Sequence, residues 1–249
     1  MNKIVIRITT IALVISLFGC GDEQDYFTKI KPAANGAHVK FVHAASDTIG
    51  VAFYINDAKI SSGAAVNSTI NYAGAFPGTD YSLLTGETQA LEVIVPVNQK
   101  VMTSANLAVT EGNYYTVAFA GVTSAYEAVV INDAVGTIPF DGQAYIRFVN
   151  LIHNSTNNVT VIATPLTGDL TPITIAENVA YKATVNFTAQ LPRAYTIKLV
   201  DAITPATVLA TASAANGTLV GSKVYTLYAR GQIGQGGAKA PTLDRMVNR

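Results

Sequence analysis

The sequence is poor in the residues on which much catalytic and metal-binding chemistry depends. Its 249 residues include one cysteine, three histidines and no tryptophan. A chain with one cysteine cannot form an internal disulfide, and it lacks the paired cysteines of most structural zinc sites. Charged residues make up only 13% of the chain, with 16 basic and 16 acidic residues. Such a balance provides no basic surface to hold phosphates, so we expect no nucleic-acid partner.

The N-terminus has the pattern of a secretory signal peptide. Lys3 and Arg7 precede an uncharged, mostly apolar stretch at residues 8–18. This length suits the apolar region of a signal peptide, whereas a membrane-spanning helix needs about 20 apolar residues. We therefore expect residues 1–19 to be a signal peptide that is removed on export.

The lone cysteine lies at the end of this apolar stretch, and the sequence LFGC at residues 17–20 resembles a bacterial lipobox. The resemblance implies that Cys20 becomes the mature N-terminus and carries a diacylglycerol thioether and an N-acyl chain such as palmitate. Three acyl chains would make release from the membrane negligible. Thioether formation would also account for a single cysteine in an exported protein. The alternative is an ordinary cleaved signal peptide with an incidental cysteine.

A short acidic segment, GDEQD at residues 21–25, follows the cysteine within a predicted tether of residues 20–36. It resembles the export signal of surface-exposed lipoproteins of Bacteroidota. The resemblance implies an outer-membrane lipoprotein exposed on the cell surface. A solvated tether would have a similar composition, so a periplasmic location stays open.

From residue 37 onward the sequence contains a diverged repeat. AHVKFVHAAS at residues 37–46 returns as AYIRFVNLIH at 144–153, and GNYYTVAFAG at 112–121 returns as GSKVYTLYARG at 221–231. The similar spacing of the two matches implies that almost the whole unit is duplicated. Residues 135–143 contain the Gly and Pro expected of a linker. The sequence therefore predicts two domains, residues 37–134 and 144–249, and we expect each to fold by itself.

Within each unit, apolar residues alternate with a period of two, which is typical of half-buried strands. Val39, Phe41 and His43 share one face of the first predicted strand, and Phe148 occupies the position of Phe41 in the second copy. Turn-forming residues recur between these short stretches. The pattern predicts an all-β fold with two tandem immunoglobulin-like β-sandwich domains, and it places Phe41 and Phe148 in their cores.

The opening of the first unit also resembles a known family. The stretches HVKFVHAASD at 38–47 and VAFYIN at 51–56 look like the start of the domain of unknown function 4397. The resemblance extends to the second unit through the repeat, giving two copies. It implies a cell-envelope protein of sandwich type with no established activity. The second copy has Asn150 and Asn154 in place of His43 and Asp47, so neither side chain is required in both units.

The turn HAASD brings His43, Ser46 and Asp47 within five residues, a composition that hydrolases also use. Catalytic triads are assembled from separate elements, and their serine often lies on a strained elbow that this stretch lacks. We therefore expect His43 and Asp47 to stabilise the turn, and we expect no catalytic residues. The sequence has no C-x-x-C, calcium-loop or P-loop pattern, so it predicts neither a metal nor a cofactor.

These observations favour a non-enzymatic cell-envelope lipoprotein with a structural, adhesion or interaction role. Its expected partners are the membrane, through Cys20, and envelope proteins or glycans. The alternative is a glycan- or peptide-binding accessory lipoprotein of a surface uptake system. The sequence does not identify the residues that would bind such a ligand.

Overall fold

The computed structural model describes residues 35–61 and 68–249, which belong to one compact unit, Asn35–Arg249. Cys20, the predicted signal peptide and most of the predicted tether lie outside the described residues. The described part contains seventeen strands, one four-residue helix, α1 (Ala214–Gly217), and two 3₁₀ turns. This confirms the all-β prediction. None of the helices in the described part is long and apolar enough to cross a membrane.

The first half of the unit, residues 35–134, contains nine strands. They are β1 (Ala37–His43), β2 (Ala52–Ile55), β3 (Ala58–Lys59), β4 (Ala75–Phe76), β5 (Ser82–Leu84), β6 (Thr88–Val95), β7 (Lys100–Ala108), β8 (Tyr114–Ala120) and β9 (Glu127–Asn132). The outer sheet has the order β3-β2-β6-β7. The inner sheet has the order β4-β1-β8-β9, and β5 also pairs with β1.

The second half, residues 144–249, contains eight strands. They are β10 (Ala144–Asn150), β11 (Val159–Pro165), β12 (Ile173–Val179), β13 (Thr188–Gln190), β14 (Tyr195–Asp201), β15 (Val208–Thr211), β16 (Val224–Arg230) and β17 (Thr242–Val247). The inner sheet has the order β13-β10-β16-β17, and the outer sheet has the order β12-β11-β14-β15. The pairing therefore follows the same scheme in both halves. In each, the first strand runs parallel to the strand that carries the second sequence match, β8 or β16.

The four sheets stack as outer, inner, inner, outer, with three apolar cores between them. One core lies within each half and contains Phe41 or Phe148, both fully buried as predicted. The third core lies between the two inner sheets, and it contains Val42 and Val129 from the first half with Val149 and Met246 from the second. The inner sheets are thus covered on both faces, and the two halves share a core that the sequence patterns did not predict.

A repeated tyrosine fastens the chain where it enters β8 and β16. The Tyr115 hydroxyl accepts a hydrogen bond from the Thr110 backbone N–H, and the Tyr225 hydroxyl accepts one from the Val220 N–H, each at 3.1 Å. Both bonds span five residues, as in the tyrosine corner of β-sandwiches. The duplicated Tyr-Thr pair therefore has the same structural role in both halves. The exact boundaries of the two sequence-defined domains stay a prediction.

Candidate functional site

The polar side chains of β1, β8, β10 and β16 lie inside the third core, between the two inner sheets. On β1, Phe41 points into the core of its own half, so Lys40 points towards the other half. Thr116 on β8 is the direct neighbour of Lys40 in the parallel pairing. Arg147 and Thr226 have the same relation on β10 and β16. The duplication thus places a cation and a threonine on the facing surface of each half.

In the first half, Lys40 is fully buried. Its Nζ donates a hydrogen bond of 2.7 Å to the Val247 carbonyl of the second half and lies 4.7 Å from the centre of the Tyr81 ring. The Thr116 hydroxyl donates at 2.8 Å to Asp133 Oδ2, and the Tyr81 hydroxyl donates to the same oxygen at 2.7 Å. The lysine is therefore bonded to the opposite half, while two hydroxyls of the first half bond to Asp133 Oδ2.

In the second half, Arg147 repeats this arrangement. Its Nη1 donates at 2.8 Å to the Asn132 carbonyl of the first half, and its guanidinium carbon lies 4.6 Å from the centre of the Phe187 ring. Its Nε donates to the Thr226 hydroxyl, which in turn donates at 2.8 Å to Asn248 Oδ1. Arg147 is 3% exposed, so this cation is also removed from water.

One ion pair joins the two sets. Arg147 Nη2 contacts Asp133 Oδ1, and both side chains are buried. The Tyr81 hydroxyl also links the sets, because it donates to Asp133 and accepts from Asn248 Nδ2 at 2.7 Å. We call these seven buried or half-buried side chains the polar cluster: Lys40, Tyr81, Thr116, Asp133, Arg147, Thr226 and Asn248.

The polar cluster has an approximate internal two-fold symmetry. Comparison of the strand registers in the two halves shows which residues occupy equivalent positions. These are Lys40 and Arg147, Tyr81 and Phe187, Thr116 and Thr226, Asp133 and Asn248, and Asn132 and Val247. Each cation donates to a carbonyl on the last strand of the opposite half and lies over an aromatic ring of its own half. The symmetry is broken at two places: the carboxylate of Asp133 corresponds to the amide of Asn248, and the hydroxyl of Tyr81 has no counterpart on Phe187.

Burial sets the protonation preferences in the polar cluster. Desolvation lowers the pKa of the Lys40 ammonium, and the carboxylates of Asp133 and Asp80 act in the opposite direction. Desolvation, together with the charge of Asp133, raises the pKa of the Tyr81 hydroxyl. Two cations and one carboxylate share this dry site. Removing Asp133 would leave the Arg147 guanidinium without its ion-pair partner and would take one of two nearby carboxylates from Lys40, which is costly inside a protein.

The HAASD turn does not assemble a catalytic triad. His43 is fully buried, and its Nε2 lies 3.0 Å from the Ile49 carbonyl, so Nε2 carries the proton. Its ring packs against Phe119 at 5.3 Å. Burial lowers the pKa of the imidazole, and the hydrogen bond to Ile49 opposes this only in part. His43 is therefore a neutral side chain whose hydrogen bond to Ile49 closes the turn.

The other two polar residues of this turn bind elsewhere. Asp47 accepts hydrogen bonds from the backbone and hydroxyl of Thr123 and from the Tyr126 hydroxyl. Burial opposes ionisation of Asp47, but these bonds outweigh it and lower the pKa of the carboxylate. The Ser46 hydroxyl accepts from Gln232 of the second half at 2.9 Å. The serine, histidine and aspartate thus contact three different parts of the chain.

In the second half, the amide side chains of Asn150 and Asn154 stabilise the equivalent turn. Asn150 donates to the Val179 carbonyl and accepts from the Ile152 N–H, at 3.1 Å each. Asn154 exchanges two hydrogen bonds of 2.9 Å with the backbone of Ile233. In both halves, the residue four positions after the first strand, Asp47 or Asn154, therefore bonds the turn to the loop that follows β8 or β16. The replacements of His43 and Asp47 preserve this structural role.

Two equivalent tyrosines extend the contact between the halves. Arg230 of the second half lies over the Tyr72 ring of the first, at 4.5 Å. Tyr181 of the second half donates at 2.8 Å to Glu127 of the first, which also pairs with Lys182. These contacts surround the third core at the end where β1 and β10 stop.

The arrangement of these side chains holds the two halves together. Serine, histidine and aspartate are separated, and the buried cations are bonded to carbonyls, a hydroxyl and one carboxylate. In the described ranges, 35–61 and 68–249, no group of three or more His, Cys, Asp or Glu side chains is placed to hold a metal ion. Cys20, the predicted lipid-attachment residue, lies outside these ranges.

The sequence patterns did not predict the polar cluster, although the repeat contains a signal for it. The repeat preserves a cation at Lys40 and Arg147 inside otherwise apolar strands, and it preserves Thr116 and Thr226. β8 and β16 are also apolar on both faces, which indicates strands covered on both sides. A repeated cation in a doubly covered strand indicates a buried polar contact.

The sequence matches the family model described as Domain of unknown function (DUF4397) over residues 37–162. This match covers just over half of the chain, and the protein therefore belongs to that family. The matched segment begins with β1, spans the first half and the predicted linker, and ends within β11. No curated protein matches the chain.

Two solved structures show remote similarity. One is the CBM26-family module CBMbc from Eubacterium rectale Amy13K in complex with maltoheptaose, with 10% identity, a TM-score of 0.27, and coverage of 84% of this chain and 95% of that chain. The other is a protein from Bacteroides uniformis proposed to act in cell adhesion, with 11% identity, a TM-score of 0.31, and coverage of 88% and 99%. Similarities of this size carry no argument about function.

Proposed function

We propose that this chain is a non-enzymatic cell-envelope lipoprotein with two immunoglobulin-like domains, anchored through Cys20, that has a structural, adhesion or interaction role. The observation that carries this proposal is the polar cluster. Its side chains, and those of the HAASD turn, are committed to contacts within and between the halves. Because these side chains are used in structural contacts, they favour a rigid unit over a reactive centre. We call this folded unit, residues 35–249, the block. Family membership and the all-β fold support the same conclusion.

The location is part of the proposal. The lipobox at residues 17–20 and the acidic residues 21–25 favour an outer-membrane lipoprotein facing the cell surface. The predicted tether ends at residue 36, directly before β1, so the lipid and the folded unit would be separated by about sixteen residues.

Anchoring is tested by Cys20→Ser in a bacterial host that processes lipoproteins. The variant should lose incorporation of labelled palmitate and keep its signal peptide or leave the membrane fraction. Ser16→Ala, within the apolar stretch, is the matched control and should be processed normally. Unchanged labelling and fractionation of Cys20→Ser would refute the anchor. Protease treatment of intact cells then distinguishes the two locations. A protein on the cell surface is cleaved, whereas a periplasmic protein is protected.

The non-enzymatic role is tested on purified residues 21–249. The proposal expects no turnover of ester or glycoside substrates and expects binding to an envelope protein or to a surface. Turnover that survives purification and is lost with His43→Asn would contradict it. The second candidate, a glycan- or peptide-binding accessory protein of an uptake system, needs an open site on the surface. A crevice of about 290 Å³ lies at the rim between the halves, with Asp80 and Tyr114 among its lining residues.

A further inference from the structure

The loops at one end of the block expose large apolar side chains. Five of them belong to the second half and are between 52% and 73% exposed: Phe140, Leu166, Leu170, Leu191 and Val220. Single exposed apolar side chains are normal on proteins, whereas a contiguous group marks a contact with another protein or with a membrane. We call these five side chains the apolar patch.

The apolar patch is carried by four loops, residues 140–143, 166–170, 191–194 and 219–223. Backbone hydrogen bonds join these loops in a row. The bonds run from the Ser222 N–H to the Gln143 carbonyl, from the Leu219 N–H to the Arg193 carbonyl and from the Leu166 N–H to the Ala194 carbonyl, at 2.8, 3.0 and 3.0 Å. The five side chains therefore belong to one continuous surface.

The described chain begins at the same end of the block. Asn35 precedes β1, and β8 runs parallel to β1, so both strands start at this end. Tyr114, the first residue of β8, lines one crevice together with Arg249, which is bonded to Val224, the first residue of β16. β16 therefore starts at this end as well, together with its parallel neighbour β10. Two loops of the apolar patch directly precede β10 and β16, which places the patch at the end where β1 starts.

The charges in the four loops sum to zero, with Asp141 and Asp169 against Arg193 and Lys223. Both carboxylates are also used locally, because Asp141 accepts the Tyr145 hydroxyl and Asp169 accepts the Thr171 hydroxyl. A surface of this kind does not select a strongly acidic or basic partner. It suits the boundary between headgroups and acyl chains, where apolar side chains leave water without needing a charged partner.

The proposed lipid anchor joins the block at this end. Cys20 lies 15 positions before Asn35. A short covalent link holds a surface at high effective concentration beside its partner, so contacts that are too weak to bind by themselves are still made. An apolar surface beside the point of attachment therefore needs little affinity of its own to stay on the membrane.

We propose that the apolar patch contacts the lipid surface of the membrane that holds the anchor, so that the block stands with the start of β1 towards the bilayer. The partner is the lipid itself and not a second copy of the chain. This inference rests on the lipid anchor proposed above and adds the orientation of the block to it.

The test uses residues 20–249, which contain one thiol, at Cys20, and no tryptophan. The thiol is coupled to phosphatidylcholine vesicles that contain a maleimide-headgroup lipid, so a covalent anchor is present whether or not cells attach one. Phe140→Trp then places a fluorophore in the apolar patch, and acyl chains that carry bromine quench a tryptophan on contact. The variant should lose about half of its emission in brominated vesicles, because the patch would lie about 5–10 Å into the boundary region.

Ile203→Trp is the matched control. Ile203 is 72% exposed, against 73% for Phe140, but it follows the end of β14, a strand that starts beside the apolar patch and runs away from it. Its emission should not change with bromine. Leu166→Ser and Leu191→Ser, added to Phe140→Trp, should remove most of the quenching. The quenching should be the same at about 0.1 M and about 1 M salt, because the charges in the four loops sum to zero.

Several results would overturn the proposal. Quenching is equal at the two tryptophan positions, or it is absent at both. Quenching of Phe140→Trp survives the two serine substitutions, which would show that the link alone brings this position to the lipid. The emission of Phe140→Trp shifts with the density of protein on the vesicles and without quenching, which would indicate a second copy as the partner. Failure here is distinct from failure of the lipid anchor, which the palmitate labelling of Cys20→Ser tests.

Discussion

At the scale of single residues, the burial of His43 makes the free energy of unfolding depend on pH. Its imidazole is neutral in the folded state because burial lowers its pKa, whereas an exposed histidine titrates at about pH 6.5. The unfolded chain therefore binds a proton that the folded chain excludes as the pH falls through this value. The free energy of unfolding contributed by His43 is present at neutral pH and is lost progressively below about pH 6.5.

We predict that His43→Asn changes stability at pH 7 by only about 1 kcal/mol, because the second half already uses Asn150 at this position. The variant should lose stability less steeply than the wild type between about pH 6.5 and pH 5. Urea denaturation at several pH values measures both effects. Parallel pH profiles for variant and wild type would contradict the assignment of His43 as a buried neutral side chain.

Asp133 is the only carboxylate of the polar cluster, and it compensates two buried cations. We predict that Asp133→Asn lowers the free energy of unfolding by about 3–5 kcal/mol, since breaking a buried ion pair leaves a charge without a partner. The internal symmetry supplies the control. Asn248→Asp, added to Asp133→Asn, returns a carboxylate to the equivalent position and should recover at least about 1 kcal/mol.

Urea denaturation of the wild type, the single variant and the double variant measures this recovery. If the second substitution destabilises the protein further, the two positions are not equivalent and the symmetry of the polar cluster has no energetic meaning. If Asp133→Asn costs nothing, the buried ion pair does not hold the halves together.

At the scale of elements, the tyrosine corners show that the two halves are built alike. We predict that Tyr115→Phe and Tyr225→Phe each cost about 1 kcal/mol, because each removes one hydrogen bond of the same length from a backbone N–H. Tyr145→Phe is the control. Its hydroxyl bonds to the exposed Asp141, so its loss should cost much less. A cost at only one of the two corners would show that the repeat is not equivalent there.

The sequence predicts the elements well because their signals are local. Period-two alternation places Phe41 and Phe148 correctly in the cores, and the repeat identifies β1, β8, β10 and β16 as equivalent pairs. The sequence also predicts that His43 and Asp47 stabilise the HAASD turn, because Asn150 and Asn154 replace them in the second copy, and the absence of a catalytic role there stays a prediction.

The polar cluster could not be derived in the same way because its contacts are not local. Lys40 contacts a carbonyl 207 positions away, and no period within one strand shows which surface will face the other half. Alternation suggests that Lys40 and Arg147 lie on a polar, exposed face. The structure buries both, because a second inner sheet covers that face.

At the scale of the whole molecule, the shared core changes the expectation for folding. The sequence suggests two domains that fold separately, since each has its own apolar faces and a linker between them. In the structure, separation would expose the third core and would leave Lys40 and Arg147 without the carbonyls and carboxylate that now surround them. The linker is also fixed, because Arg249 bonds to residues 135, 138 and 139.

The central claim of this account is that the two halves form one rigid block. The most direct measurement is a urea titration of ¹⁵N-labelled residues 21–249, with amide signals followed separately in β6 of the first half and β14 of the second. We predict that both sets disappear at the same urea concentration, and that Asp133→Asn lowers both midpoints together. Two separate transitions, with Asp133→Asn moving only one, would contradict the account and support independent domains.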